Sequence, residues 1–104
     1  MLHLIKNLFV SEKPDFAQLV RDGAIILDVR TKGEYTGGHI RNSVNIPVNN
    51  LGANLNKLPD KNRAIITCCA SGMRSASAKS ILKSAGYANV YNGGGWMSLN
   101  NKIK

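Results

Sequence analysis

The chain lacks a hydrophobic segment long enough to cross a membrane. A membrane-spanning helix needs about 20 mostly apolar residues, and no apolar run in this sequence approaches that length. Residues 1–10 contain a lysine and no small-residue cleavage site, so they do not resemble a signal peptide. We therefore expect a soluble, unprocessed protein of the cytoplasm that does not bind membranes.

Aromatic and acidic residues are both scarce. Aromatic residues make up 6% of the chain, and 6 acidic residues stand against 14 Lys and Arg, which gives a net charge of +8. So few aromatic side chains provide little for stacking on nucleic-acid bases. The basic excess is also uneven, because residues 53–104 contain eight basic side chains and a single acidic one, Asp60. This distribution favours a local element that handles an anion over a nucleic-acid-binding surface.

The chain has only two cysteines, and these are adjacent, Cys68 and Cys69. Neighbouring cysteines cannot link distant parts of a fold, so we expect no disulfide framework. With His3 and His39 scattered elsewhere, the cysteines also lack the spacing of a tetrahedral metal site. In a reducing compartment, such thiols serve chemistry or burial more often than cross-linking. We expect neither a metal nor a cofactor.

The length of 104 residues is that of one domain, which we assign to residues 1–104. Short β-branched runs alternate with amphipathic stretches, a pattern typical of a three-layer α/β domain with a mainly parallel sheet of four to five strands flanked by helices. Residues 1–10 fit a helical stripe as well as a fifth strand, so both interpretations stay open for this segment. The predicted strands are Ile25–Val29, Val44–Ile46, Ala64–Cys68 and Asn89–Tyr91, with a fifth within Leu4–Val10.

Helices are predicted in the intervals between the strands. The strongest has apolar residues spaced at i, i+3, i+4 and i+7 and ends before Gly86. The run Gly93–Gly95 is interpreted as a strand-to-helix turn, because no G-x-G-x-x-G pattern follows it. The predicted helices are Pro14–Asp22, Leu51–Leu58, Ser75–Ala85 and a short last helix that includes Trp96 and Leu99.

The segment from Ile65 to Ser75 combines a buried-type strand, a tight loop and the strongest helix. Ligands of open parallel sheets bind beyond the carboxyl ends of the strands. A helix N-terminus offers backbone N–H groups without helical partners, and these stabilise a thiolate or a bound anion. Arg74 adds a permanent positive charge. The pattern therefore predicts a nucleophilic cysteine within an anion-binding loop.

This loop resembles the active-site loop of the rhodanese family, whose signature is C-x-x-G-x-R-S. Two other blocks are similar to family blocks, although the chain has Asn42-Ser43 where the family commonly has Gly-Ala, and Trp96 comes early. The matching residues are Cys69, Gly72, Arg74 and Ser75 in the loop, Asp28-Val29-Arg30, Glu34-Tyr35, Gly38-His39-Ile40 and Asn45-Ile46-Pro47 before it, and Val90 to Gly94 with Trp96 after it.

The resemblance implies a rhodanese-like domain with thiosulfate sulfurtransferase-like activity. Cys69 would take sulfane sulfur from thiosulfate or another small anionic donor and hold it as a persulfide. The acceptor would be cyanide or a thiol, including a thiol of a thioredoxin-like or other sulfur-relay protein. Arg74 would steer and bind the donor. Backbone N–H groups would bind the sulfur and the departing oxyanion, and we assign them to Ala70, Ser71, Gly72, Met73 and Ser75.

The cysteine doublet leaves other interpretations open. Counted from Cys68, the spacing to Arg74 is C-x5-R, which resembles the phosphate loop of cysteine-based phosphatases and arsenate reductases. Cys69 is favoured because Gly72 then falls at the rhodanese position and because Thr67 stands where many of those phosphatases have histidine. Cys68 is then a buried strand-end residue, with a resolving thiol as the alternative. A third interpretation is a non-catalytic module that binds an anionic partner.

Three other residues of the matched blocks are given structural interpretations. Asp28 and Arg30, at a strand end, are expected to hold the following loop by hydrogen bonds. His39 is expected to bond its neighbours and not to act as a general base, because a preformed thiolate needs none.

Overall fold

The structure, a computed structural model, describes residues 14–104. In this range the chain forms a fully parallel sheet with the strand order β2-β1-β3-β4. The predicted α/β class is confirmed, as are the positions of the four later strands to within a few residues. The fifth strand predicted within Leu4–Val10 lies outside the described residues. The strands are Ile25–Asp28 (β1), Val44–Asn45 (β2), Ile65–Cys69 (β3) and Val90–Gly95 (β4).

Helices cover both faces of the sheet, which makes three layers. In residues 14–104, no helix is long and apolar enough to span a bilayer. The first helix starts after Asp15, whose carboxylate accepts the Gln18 N–H at 3.0 Å, so the predicted start at Pro14 was too early. The α-helices are Phe16–Arg21 (α1), Lys32–Thr36 (α2), Met73–Ser84 (α3) and Trp96–Ile103 (α4).

The core divides into two clusters, one on each face of the sheet. Strand β3 lies between two other strands and all five of its residues are buried, as expected for a central parallel strand. One face packs against α3, through Ala78 and Leu82. The other face packs against α1 and α4, through Phe16 and Leu99. Successive residues of β3 therefore alternate between the two faces of the sheet and their clusters.

The helix predicted over Leu51–Leu58 was wrong. The chain forms two short 3-10 helices instead, Val48–Asn50 and Leu55–Lys57. Asn54 explains part of the difference, because its side chain donates at 2.7 Å to the Asn50 carbonyl, which its own amide would bond in an α-helix. Leu51 and Leu58 are still buried, at 0% and 1% exposure. Both leucines therefore pack in the core without an α-helix.

Helix α2 is absent from the elements predicted above. It begins with a capping box, in which the Thr31 hydroxyl accepts the Glu34 N–H and the Glu34 carboxylate accepts the Thr31 N–H. The T-x-x-E spacing of Thr31 and Glu34 is a sequence signal from which this helix start could have been predicted. Asn42, at the family's usual glycine position, has φ of 67°, a left-handed conformation that asparagine tolerates better than most residues.

The glycine run forms the end of β4, so its interpretation as a turn was wrong. The pairing of β4 with β3 shifts by one residue here, from Thr67 opposite Asn92 to Cys69 opposite Gly95, as in a β-bulge. Position 93 has no room for a side chain, because a Cβ would lie 2.8 Å from both Ile66 Cγ2 and the Thr67 carbonyl oxygen. Helix α4 then starts directly at Trp96.

Candidate active site around Cys69

Cys69 is the last residue of β3, and a short loop connects it to the start of α3 at Met73. Its Sγ atom accepts hydrogen bonds from two backbone groups, the N–H of Gly72 at 2.9 Å and the N–H of Ser75 at 3.4 Å. Gly72 allows this loop conformation, because it adopts a φ of 104° that would be strained for any residue with a side chain. Both N–H groups and the N-terminus of α3 therefore direct positive potential at one sulfur atom.

The two cysteines lie on opposite faces of the sheet and have different surroundings. Cys69 belongs to the cluster under α3, whereas Cys68 packs with Ile66 and Leu99 in the other cluster. Burial, together with the nearby Asp28 carboxylate, raises the pKa of the Cys68 thiol to about 12. Cys68 is therefore a neutral, buried thiol at physiological pH, and its side chain points away from that of Cys69.

Arg74 forms a bidentate ion pair with Glu34, which sequence reasoning did not anticipate. Its two terminal nitrogens lie 2.6 and 3.0 Å from the two carboxylate oxygens. The pair joins α3 to α2, and these helices follow the neighbouring strands β3 and β1. Hydrogen bonding from Arg74, helped by the Thr31 N–H, lowers the pKa of Glu34 to about 2. Glu34 is thus ionised at any physiological pH.

Three of the other residues assigned to substrate binding are exposed to solvent. Ala70 and Ser71 are exposed, and the Met73 side chain is 80% exposed. The Ala70 carbonyl oxygen lies 3.0 Å from where a Cβ on Gly95 would be. Of the amides predicted to bind substrate, those of Gly72 and Ser75 are the ones hydrogen-bonded to Sγ. The loop therefore packs closely on the end of β4 and exposes its outer side.

A buried hydrogen-bond chain holds the start of α3 against the sheet. The Thr67 hydroxyl lies 2.8 Å from Ser75 Oγ and 3.0 Å from the Ser75 carbonyl oxygen, and its single proton is shared between these two acceptors. Ser75 Oγ in turn donates to Asn92 Oδ1 at 2.6 Å, which also accepts the Gly94 N–H. Thr67 and Asn92 were not predicted as site residues. The position of Asn92 beside the loop depends on the β3–β4 pairing, so the motif spacing alone carried no signal for it.

Asp28 and Arg30 form a buried ion pair, with Arg30 Nη2 and Asp28 Oδ2 2.7 Å apart. The hydrogen bonds that Arg30 donates to the Asp28 carboxylate raise the pKa of Arg30 above its ordinary value. Arg30 also donates to the Gly38 carbonyl at 2.7 Å, and its guanidinium lies 4.7 Å from the Trp96 ring centroid. The pair therefore ties the end of β1 to the loop after α2.

His39 also takes the structural position predicted for it. Its Nδ1 lies 2.8 Å from the Tyr35 carbonyl oxygen, and its ring stacks on the Tyr35 ring. In the part of the chain that the structure describes, no group of three or more His, Cys, Asp or Glu side chains could hold a metal ion.

These features define a class of protein: an α/β domain in which a cysteine ends a central parallel strand and its sulfur is held by the amides of the following loop. The chain belongs to the rhodanese-like domain family, whose model matches residues 12–102.

Curated relatives and solved structures agree with this family. Thiosulfate sulfurtransferase PspE of Escherichia coli (strain K12) is 36% identical over 70 residues, covering 66% of this chain and 67% of that protein. The tRNA uridine(34) hydroxylase of Buchnera aphidicola subsp. Baizongia pistaciae is 33% identical over 88 residues, which cover 80% of this chain but 28% of the hydroxylase. The solved structure of a rhodanese with anions from E. coli has a TM-score of 0.69 and 32% identity, covering 73% of this chain and 91% of that one.

Proposed function

We propose that this protein is a sulfurtransferase that carries sulfane sulfur as a persulfide on Cys69. The observation that supports this most directly is the pair of amides, from Gly72 and Ser75, hydrogen-bonded to the Cys69 sulfur. Amide donors stabilise a thiolate and also the negative charge of a terminal persulfide sulfur. The relative PspE, named a thiosulfate sulfurtransferase, supports the same reaction class.

The reaction consists of two displacements at sulfur. In the first, the Cys69 thiolate attacks the sulfane sulfur of thiosulfate, a new S–S bond forms, and sulfite leaves with the electron pair of the broken bond. In the second, cyanide or a thiolate attacks the outer sulfur and the Cys69 thiolate leaves. The products are thiocyanate or a new persulfide, and no electrons are gained or lost overall. Such a sequence produces ping-pong kinetics.

Arg74 is proposed to attract and bind the anionic donor at the mouth of the loop. A guanidinium has five N–H donors, and the Glu34 carboxylate engages two of the Arg74 nitrogens. The remaining N–H groups can bind oxygens of thiosulfate while the ion pair persists. Glu34 also places a negative charge beside the donor site, which opposes binding of a dianion.

A mass measurement tests the Cys69 assignment. The purified protein is incubated with thiosulfate, desalted without reductant and analysed as the intact chain and as peptides. We expect a gain of about one sulfur atom per chain, on the peptide that contains both cysteines, and its removal by cyanide with release of thiocyanate.

The same substitution at each cysteine provides matched variants. Cys69→Ala should lose the added sulfur, whereas Cys68→Ala should retain it, with circular dichroism used to check that both variants are folded. An unchanged mass in the unsubstituted protein would contradict the proposal, and so would retention of the sulfur by the folded Cys69→Ala variant.

The phosphatase interpretation, which starts the loop at Cys68, gains no support from the geometry. Its nucleophile would be a thiol with a pKa of about 12, packed on the opposite face of the sheet from the loop amides. A resolving role for Cys68 is disfavoured by the same orientation, since a disulfide needs both sulfur atoms to meet.

A further inference from the structure

The sulfur of Cys69 takes the place of a side-chain cap at the start of α3. The first four N–H groups of an α-helix have no partner within the helix, and the side chain of the cap residue usually bonds one of them. The cap residue of α3 is Gly72, which has no side chain to do so. Cys69 Sγ instead accepts the first of the four N–H groups, that of Gly72, and the last, that of Ser75. The position of the helix start therefore sets how well these donors reach the sulfur.

The start of α3 is held by one exposed contact and one buried contact. The Arg74–Glu34 ion pair is about one-third exposed, so water screens it. The Ser75 hydroxyl, in contrast, bonds both Thr67 and Asn92, and Ser75 and Thr67 are each 0% exposed. A hydrogen bond is stronger in the low dielectric constant of the interior than in water. We therefore expect the buried contact to be the more effective restraint on the first turn of the helix.

The sheet places both partners of the Ser75 hydroxyl beneath this turn. Thr67 lies two positions before Cys69 on β3, so the two side chains are on the same face of the sheet, the face covered by α3. Asn92 lies opposite Thr67 on the neighbouring strand β4. Ser75 Oγ is 2.8 Å from Thr67 Oγ1 and 2.6 Å from Asn92 Oδ1. One side chain thus attaches the helix start to two strands.

The direction of these hydrogen bonds follows from the groups involved. Asn92 Oδ1 already accepts the Gly94 N–H at 2.9 Å, and an amide oxygen cannot donate. The Ser75 hydroxyl must therefore donate its single proton to Asn92, and its oxygen is left to accept from Thr67. Ser75 reaches the Cys69 sulfur through its backbone N–H, while its side chain fixes where that N–H points.

We propose that Thr67 and Asn92 are positioning residues for Cys69, which hold Ser75 so that its N–H stabilises the sulfur as a leaving group. The inference rests on the sulfur-transfer function proposed above and concerns its second step. When an acceptor attacks the outer sulfur of the persulfide, the S–S bond breaks and its electron pair stays on Cys69 Sγ. A donor already directed at that atom lowers the barrier. Loosening the network should therefore slow the release of sulfur.

Substitutions at Thr67 separate its hydroxyl group from general effects on packing. Thr67→Val keeps the shape of the side chain without the hydroxyl, whereas Thr67→Ser keeps the hydroxyl and loses a methyl group. Each variant is loaded with sulfur from thiosulfate, and its discharge by cyanide is followed in a single turnover as thiocyanate release. We expect Thr67→Val to slow discharge about tenfold and Thr67→Ser to restore the rate to within about twofold. Equal rates for Thr67→Val and the unsubstituted protein, or equal slowing by both variants, overturn the proposal.

Asn92→Ala is a second variant with less risk to folding, because Asn92 is exposed. It should slow discharge about fivefold, since Ser75 then keeps only its Thr67 partner. The matched control is Asn101→Ala, at an exposed asparagine of α4, which should leave the rate unchanged. An unchanged rate in Asn92→Ala, with folding checked by circular dichroism, overturns the proposal.

An NMR measurement tests the positioning without any sulfur transfer. The chemical shift of the Ser75 amide proton reports its hydrogen bond to sulfur, so Cys69→Ala should move this signal. Thr67→Val should move it in the same direction, and Thr67→Ser should not. An unmoved signal in Thr67→Val overturns the positioning role. If the unsubstituted protein takes up no sulfur from thiosulfate, the sulfurtransferase function is contradicted instead, and the amide signal still decides whether the network aims the Ser75 N–H.

Discussion

Two arginines of this protein form ion pairs with carboxylates, and the two pairs lie in different environments. Arg30 and Asp28 are buried, with side-chain exposures of 5% and 0%. Arg74 and Glu34 are about one-third exposed, at 36% and 37%. The buried pair is local, two residues apart, and the exposed pair joins residues 40 positions apart. The sequence predicted a structural role for Arg30 and a role in binding the donor for Arg74, but it did not identify Glu34 as the partner of Arg74.

The difference separates a structural pair from one that is available for function. Taking charges out of water is costly, so Arg30 must keep its partner, and its other donors are directed at backbone carbonyls. Water reaches Arg74, so its attraction to Glu34 is screened, and another anion can compete for it at small cost. A substrate-binding arginine requires this second environment. The comparison leads to three predictions, from the largest expected effect to the smallest.

Asp28→Asn should have the largest effect, because it leaves Arg30 charged and buried without a counter-ion. We expect a loss of about 3 to 5 kcal/mol in the free energy of unfolding, measured by urea denaturation. The matched control is Asp22→Asn, at an exposed position, which should change the free energy by less than about 0.5 kcal/mol. Similar stabilities for the two variants would show that the buried pair is not structural.

Glu34→Gln should affect donor binding more than stability. Removing the carboxylate frees the Arg74 guanidinium and removes a negative charge beside a dianionic donor, so the KM for thiosulfate should fall about threefold at low salt. Arg74→Gln should raise the same KM. The measurement is the initial rate of thiocyanate formation against thiosulfate concentration. If Glu34→Gln raised the KM as Arg74→Gln does, the role of Glu34 would be to position Arg74.

The smallest expected effect is the change with pH in the contribution of the Arg74–Glu34 pair to stability. Because folding lowers the pKa of Glu34 from about 4.5 to about 2, its contribution to stability is present above pH 4.5 and is lost as the pH falls towards 2. The Tm of the unsubstituted protein should therefore exceed that of Glu34→Gln by a small margin at pH 6, and the margin should vanish near pH 2. A margin that is the same at both pH values would contradict the ionic origin of this contribution.

Local signals predicted much of the fold and part of the candidate site. Strand β3, helix α3 and the glycine between them were found because apolar spacing and turn residues act within a few positions. The Leu51–Leu58 helix was wrong because Asn54 bonds the backbone in competition with an α-helix. Helix α2 was missed although its capping box is visible in the sequence. The run Gly93–Gly95 was wrongly interpreted as a turn. Glycine is required at position 93 by close contacts with β3 and α4, which are not visible in the local sequence.

The sequence alone determined the order of the strands along the chain, the family resemblance and the spacing of Cys69, Gly72 and Arg74 across one strand–loop–helix junction. The tertiary structure decided which side of the sheet each cysteine faces, that Glu34 is the partner of Arg74, and that Ser75 is tied to Thr67 and Asn92. The physical reason is distance along the chain. Turns and helix starts depend on neighbouring residues, whereas ion pairs and buried networks depend on the packing of strands that are far apart in sequence.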